Sequence, residues 1–100
     1  MSEGSLQAYF KNQCKARGVF WRKIKFEGQR GCPDVMIAYG GRIILVELKN
    51  PNKRGKLSKL QIRQMQHLTG AGVTCHVIDS KEGIDDVIAE ITAAEATVRD

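Results

Sequence analysis

The chain has few cysteines, and they do not have the spacing of a metal knuckle or a disulfide framework. Cys14, Cys32 and Cys75 are odd in number and contain no Cys-x-x-Cys pair. Disulfide-stapled domains and zinc knuckles are therefore excluded. The chain also lacks an apolar run of about 18 residues and a charged-then-apolar leader. We expect a protein of the reducing cytoplasm with no membrane partner.

Internal repeats and low-complexity tracts are missing as well. The 100 residues therefore predict a single domain spanning residues 1–100. The net charge of +5 is modest. It favours an anionic partner such as nucleic acid or a membrane surface, although a soluble protein with a few extra lysines has the same balance.

Hydrophobic periodicity predicts an α/β fold. The expected order is a helix over 3–17, a strand over 20–26, a hairpin over 34–49, a helix over 57–70, a strand over 73–78 and a last helix capped by Ser80. A helical crossover makes the third and fourth strands parallel, so the small four-stranded sheet is mixed and flanked by helices. The pattern weakens from about Thr92 onward, where fraying is expected.

Two expectations concern the faces of the sheet. Both hairpin strands are apolar on both sides, which predicts that helices cover both of their faces. In the first strand, alternation places Phe20, Ile24 and Phe26 on the buried side. The opposite side is predicted to be a basic face with Trp21, Lys23 and Lys25, although Trp21 is a large residue that is more typical of a core.

The hairpin brings two carboxylates together. Gly40-Gly41 suits a two-residue turn with positive φ at both positions, so Tyr39 opposes Arg42. The same register, continued along both strands, sets Asp34 directly opposite Glu47. Their Cβ atoms are then about 4.5–5.5 Å apart. Two unit charges at about 5 Å repel by about 3 kcal/mol at an effective dielectric of about 20, and a bound cation reverses this repulsion.

Lys49 follows Glu47 by two residues and lies on the same face of the strand. Two carboxylates and an amine on one face indicate a metal-dependent hydrolytic site. The alternative is that Asp34 caps a loop and Glu47 only pairs with Lys49. On the helix over 57–70, Gln61 and Gln64 both lie on or beside the apolar face, so the helix geometry leaves both as partners for this site.

The motifs around these residues resemble a known family. Pro33-Asp34 followed by Glu47-Leu48-Lys49 is the signature of the PD-(D/E)XK nuclease superfamily. Over roughly residues 3–78 the chain resembles the VRR-NUC family, the virus-type replication and repair nucleases. The segments that carry this resemblance are Gly31-Cys32-Pro33-Asp34, Val46-Glu47-Leu48-Lys49, and Gly55-Lys56-Leu57-Ser58 followed by Gln61.

The resemblance implies a restriction-endonuclease-like αβββαβ core with an extra C-terminal helix, and a metal-dependent endonuclease activity. The ligands of Mg²⁺ or Mn²⁺ that it implies are the carboxylates of Asp34 and Glu47 and the backbone carbonyl of Leu48. It also implies Glu3 as a ligand, because family members often carry an acidic residue on the first helix. Lys49 would orient or activate the attacking water, and Gln61 would support the site. Hard oxygen ligands of this kind suit Mg²⁺ or Mn²⁺.

Basic residues from segments beside the site predict a basic rim that contacts successive phosphates of a nucleic-acid backbone. They are Lys23, Lys25, Arg30, Lys53, Arg54, Lys56 and Lys59. A solvated surface is the alternative for each of them. The chain carries no helix-turn-helix, zinc-finger or RRM signature, so recognition through backbone and DNA shape is expected.

The leading hypothesis is a stand-alone, structure-selective endonuclease that cuts branched or duplex DNA, including the Holliday junction. We expect it to act as a homodimer in the cytoplasm of a bacterial or phage-infected cell. A simple nicking or flap nuclease is the alternative among enzymes. A non-catalytic nucleic-acid-binding subunit on a nuclease scaffold is the alternative from another class. An RNA substrate stays open.

Overall fold

The computed structural model describes residues 2–50, 52 and 56–98, with α-helices on both sides of one mixed sheet. Its elements are α1 (Glu3–Ala16), β1 (Phe20–Lys23), β2 (Val35–Tyr39), β3 (Arg42–Leu48), α2 (Lys59–Gly70), β4 (Cys75–Ile78) and α3 (Lys81–Val98). The sheet order is β1-β2-β3-β4. Only the β3–β4 pair is parallel. The predicted fold class is confirmed, and α3 continues past Thr92 to Val98.

Local sequence signals set the ends of α1. The Ser2 side chain accepts the Ser5 N–H at 3.1 Å and so caps the first turn. At the other end Gly18 has φ +70°, and the N–H of Val19 bonds the carbonyl of Cys14 at 2.9 Å. This is the left-handed termination that glycine favours. The helix therefore stops where the sequence predicted, and the chain turns directly into β1.

The hairpin has the predicted register. Gly40 and Gly41 have φ of +57° and +81°, and Tyr39 pairs with Arg42. The ladder runs down to Val35 opposite Val46, which sets the residues before and after that pair, Asp34 and Glu47, across from each other.

The core fills the space between one face of the sheet and the pair α1 and α3. Along β2 and β3 this face carries Val35, Ile37, Ile44, Val46 and Leu48, all of them buried. The helices contribute Leu6, Phe10, Cys14, Ile84, Val87, Ile88 and Ile91. Because these residues recur with periods of two in the strands and three to four in the helices, the core follows directly from the hydrophobic pattern. Within the described residues, no helix is both long and apolar enough to cross a membrane.

The opposite face of the sheet is only partly covered, so the expectation of two covered faces was wrong. Helix α2 lies on this face and has no buried residue. Ile43 in β3 is 56% exposed, and Val77 in β4 is 37% exposed. One 12-residue helix is too short to cover four strands, and its contacts fall mainly on β4.

The first strand is shorter than predicted and faces the other way. β1 ends at Lys23, its Trp21 is buried against Phe10 with ring centroids 6.2 Å apart, and Phe20 is 44% exposed. A shift of one residue exchanges the two faces of a strand. The bulkier indole takes the core position opposite Ile37.

Candidate active site

Asp34 lies at the point where β1, β2 and β3 converge. Its main chain continues the sheet on both sides, because its N–H donates to Val46 at 3.2 Å and its carbonyl accepts the Ile24 N–H at 2.9 Å. The two carboxylate oxygens have separate partners. Oδ1 accepts the N–H of Leu48 at 3.2 Å, and Oδ2 is 2.9 Å from the ammonium of Lys23. The sheet therefore fixes this carboxylate beside β3.

Glu47 is the one charged residue in the buried part of the described chain, at 8% exposure. The pKa of its carboxyl is raised to about 7, mainly by burial and further by the nearby charges of Asp34 and Glu3, while Lys49 and Lys23 oppose the shift. Desolvation disfavours the charged form, and a second carboxylate adds like-charge repulsion. The site is therefore short of positive charge in the absence of a metal.

Lys49 is held beside Glu47 without a close ion pair. Its Nζ is 3.8 Å from Oε2 of Glu47 but 2.8 Å from Oε1 of Gln61. The longer distance is beyond hydrogen-bond range. The alternative that Glu47 only pairs with Lys49 is therefore poorly supported, since the amine is bonded to the amide.

Gln61 links the two charged groups, and its helix fixes its position. Its Nε2 donates to Glu47 at 3.1 Å, and its Oε1 accepts from Lys49 and from the Ser58 N–H at 2.9 Å. Ser58 in turn accepts the Gln61 N–H, which completes a capping box at the start of α2. Of the two glutamines that helix geometry left open, Gln61, the one that the resemblance implied, makes these contacts.

Gly31 allows α2 to approach the site closely. Its φ is +85°, and a Cβ there would lie 2.8 Å from Cγ of Leu60 on α2. Pro33 is fully buried beside it. The small residue therefore lets the loop before Asp34 pack under the first turn of the helix that carries Gln61.

A cavity of about 230 Å³ adjoins Asp34 on its loop side. Lys25 and Arg30 are among its lining residues. Both side chains are exposed, as are Lys56 and Lys59 near the start of α2. Lys53 and Arg54 lie outside the described residues.

Two further predicted residues lie close to the carboxylates. Lys23, predicted for the phosphate rim, is ion-paired with Asp34. Glu3, the further metal ligand that the resemblance implies, is exposed at the first position of α1, and its charge acts on the pKa of Glu47.

The carboxylate oxygens of this site suit one hard divalent cation, for which the protein would supply only part of the coordination shell. Asp34 and Glu47 provide two carboxylates on one face, and the described residues hold no group of three His, Cys, Asp or Glu that could bind a metal. Mg²⁺ is commonly bound by one or two carboxylates, with waters and substrate phosphates completing the octahedron. The Leu48 carbonyl stays the predicted additional oxygen.

Comparison with known proteins agrees with this geometry. No family model and no curated protein matches the sequence. A solved structure described as a "VRR_NUC domain" superposes with a TM-score of 0.77 at 31% sequence identity, covering 86% of this chain and 92% of that chain. The chain belongs to the VRR-NUC family. This family assignment points to a nuclease of the PD-(D/E)XK type.

Sequence reasoning about this VRR-NUC chain missed two contacts. The resemblance assigned Gln61 to the site, and the capping box, visible as Ser58-x-x-Gln61, would have distinguished it from Gln64 by the residue pattern alone. The pairing of Lys23 with Asp34 had no such signal, because it depends on how the connection between β1 and β2 folds back.

Proposed function

We propose that this VRR-NUC chain is a Mg²⁺- or Mn²⁺-dependent endonuclease that hydrolyses DNA phosphodiester bonds. The observation that carries the proposal is the opposed pair Asp34 and Glu47, with Lys49 and Gln61 bonded to each other beside it. Among the described residues, neither carboxylate has a cation at hydrogen-bond distance except Lys23 at Asp34. A divalent cation would neutralise both.

Each residue has a defined role in this proposal. Asp34 and Glu47 hold the metal, with Leu48 and Glu3 as the further predicted ligands. The metal, when bound, acidifies a water and stabilises charge on the phosphate. Gln61 orients the Lys49 amine through the 2.8 Å bond, so the amine stays on the carboxylate face. There it holds the attacking water or stabilises the developing negative charge.

The substrate chemistry is supported by charge around the site. Lys25 and Arg30 line the cavity that adjoins Asp34, and Lys56 and Lys59 lie near the first turn of the helix that carries Gln61. Cations in such places contact phosphates without reading bases. We therefore expect selection by DNA structure, with branched DNA or a four-way junction preferred over plain duplex.

A homodimer would serve a junction substrate, because a two-fold assembly sets two equivalent sites for two strands. The open sheet face offers a surface that the sequence did not predict, with Ile43 beside Ala38 on the neighbouring strand. Light scattering should give a mass near twice 11.1 kDa, and Ile43→Lys should reduce it to the monomer. A wild-type monomer under cleavage conditions would leave the nicking or flap nuclease as the better version.

The decisive substrate experiment compares labelled linear duplex, flap, splayed-arm and four-way DNA, with Mn²⁺, with Mg²⁺ and with EDTA. Paired nicks on opposite strands of the junction support the resolving enzyme. Single nicks on flap DNA support the simpler nuclease. Binding without cleavage under all metal conditions would favour the non-catalytic subunit, an alternative that the complete set of Asp34, Glu47 and Lys49 argues against.

A further inference from the structure

A second cavity lies at the β1 edge of the sheet, away from the carboxylates. Its volume is about 210 Å³, and it is lined by Lys11, Lys15, Val19, Phe20, Trp21 and Arg22. None of these residues belongs to the site that holds Asp34 and Glu47. The cavity lies between α1 and the start of β1, which places it beside the outermost strand.

The charge of this cavity has one sign. Three of its six lining residues are cationic and none is acidic. The ion pairs formed within the described chain involve none of these three cations. Like charges held close together repel, so the cavity has a net electrostatic preference for an anion.

Arg22 is fixed in position before any ligand arrives. One of its guanidinium nitrogens donates to the Trp21 carbonyl at 2.8 Å, and the guanidinium carbon is 4.4 Å from the centre of the Phe20 ring. Guanidinium offers five N–H donors in a planar fork. One bond to a carbonyl leaves donors available, and the stacking on Phe20 restricts the side chain, so less entropy is lost on binding an oxyanion.

Trp21 forms an aromatic wall of the cavity. The residue is 8% exposed, and the Lys11 ammonium lies 5.8 Å from the centre of its ring. The lining therefore combines three cations with aromatic rings and contains no side-chain acceptor.

We propose that this cavity binds a backbone phosphate of the nucleic acid, separately from the phosphate that is cleaved. This inference rests on the proposed nuclease function. β1 connects the two places, because Lys23 contacts Asp34 while Trp21, two residues earlier and about 7 Å along the strand, lines the cavity. Arg22, the next lining residue, pairs with Met36, which is two residues from Asp34, so Arg22 lies on the face of the sheet that carries the carboxylates. One strand of the substrate on this face can therefore contact both Arg22 and the site.

Trp21 makes the proposal directly measurable, since it is the only tryptophan of the chain. Its fluorescence is followed while a short DNA duplex, and in a second arm inorganic phosphate, is titrated in EDTA. We expect a saturable change with DNA, with or without a weaker change with phosphate. A change with phosphate and none with DNA would assign the cavity to a free anion and overturn the proposal, as would no change with either.

The paired variant is Lys11→Gln with Lys15→Gln, both exposed positions on α1. Arg42→Gln with Lys81→Gln is the control, because it removes the same net charge from other exposed positions. The logarithm of the DNA association constant falls with the logarithm of salt by about 0.9 per phosphate contacted. We expect the first variant to make this slope shallower by about 0.9 and to lose the DNA-induced fluorescence change. Equal slopes in the two variants would contradict the proposal.

These measurements distinguish a wrong assignment of the phosphate site from a wrong assignment of the nuclease activity. A wild-type protein that binds DNA with the Trp21 signal but never cleaves it leaves the phosphate site standing and removes the proposed activity. Metal-dependent cleavage by wild type, with identical DNA binding by the Lys11 and Lys15 variant and its control, removes the site and leaves the activity.

Discussion

Replacing Glu47 with glutamine should stabilise the metal-free protein at alkaline pH and leave it nearly unchanged in acid. The substitution keeps the shape of the side chain and an oxygen that accepts from Gln61, and it removes a charge that burial disfavours. The native carboxyl has a pKa raised from 4.5 to about 7. A raised acid pKa means that the native state holds its proton more tightly than the unfolded chain.

The magnitude follows from that difference. One pKa unit corresponds to 1.36 kcal/mol, so the free energy of unfolding of the wild type should lose about 3 kcal/mol from this group. The stability that the tightly held proton of Glu47 gives to the native state is fully present below pH 4.5. It declines as the pH rises and is gone above about pH 7. Glu47→Gln removes this decline.

The assay is denaturant unfolding at 25 °C in EDTA at pH 5 and pH 8. We expect Glu47→Gln to be more stable than wild type by about 3 kcal/mol at pH 8, with most of that gain absent at pH 5. Glu27→Gln, an exposed position in the loop after β1, is the control and should show no such pH-dependent gain. A gain at pH 8 no larger than that at pH 5 would refute the reasoning.

Three further substitutions test the supporting contacts. Gln61→Ala should cost about 1–2 kcal/mol of stability through the lost capping box and should slow cleavage, measured by unfolding and by single-turnover assays. Lys23→Met should tighten Mn²⁺ binding in calorimetry more than Lys25→Met does, because only Lys23 competes for Asp34; equal gains would contradict this. Gly31→Ala should destabilise the fold more than Gly28→Ala, since both have positive φ but only Gly31 meets α2; equal melting temperatures would exclude the clash.

The hairpin and the element order were predictable because they depend on local rules. Gly40-Gly41 fixes the turn, and the two-residue period then fixes which side chains meet, so the residue pattern alone is enough to set Asp34 opposite Glu47. The core helices follow in the same way from Leu6, Phe10 and Ile84 at helical spacing.

The errors concern features that depend on packing between distant parts of the chain. Whether Phe20 or Trp21 of β1 enters the core depends on which side chains of α1 pack against the strand. Phe10 of α1 packs edge-on against the indole of Trp21. Whether the second sheet face is covered depends on where α2 lies, which leaves Ile43 exposed. Hydrophobic pattern alone does not contain that information, because an apolar strand face looks the same whether a helix or solvent lies over it.

The most direct test of the central claim separates DNA cleavage from DNA binding in Asp34→Ala and Glu47→Ala. Each variant removes one carboxylate and no basic residue, so cleavage in Mg²⁺ or Mn²⁺ should be abolished while the DNA dissociation constant in EDTA changes little. Cleavage at the wild-type rate by either variant in both metals would contradict the assignment of this site.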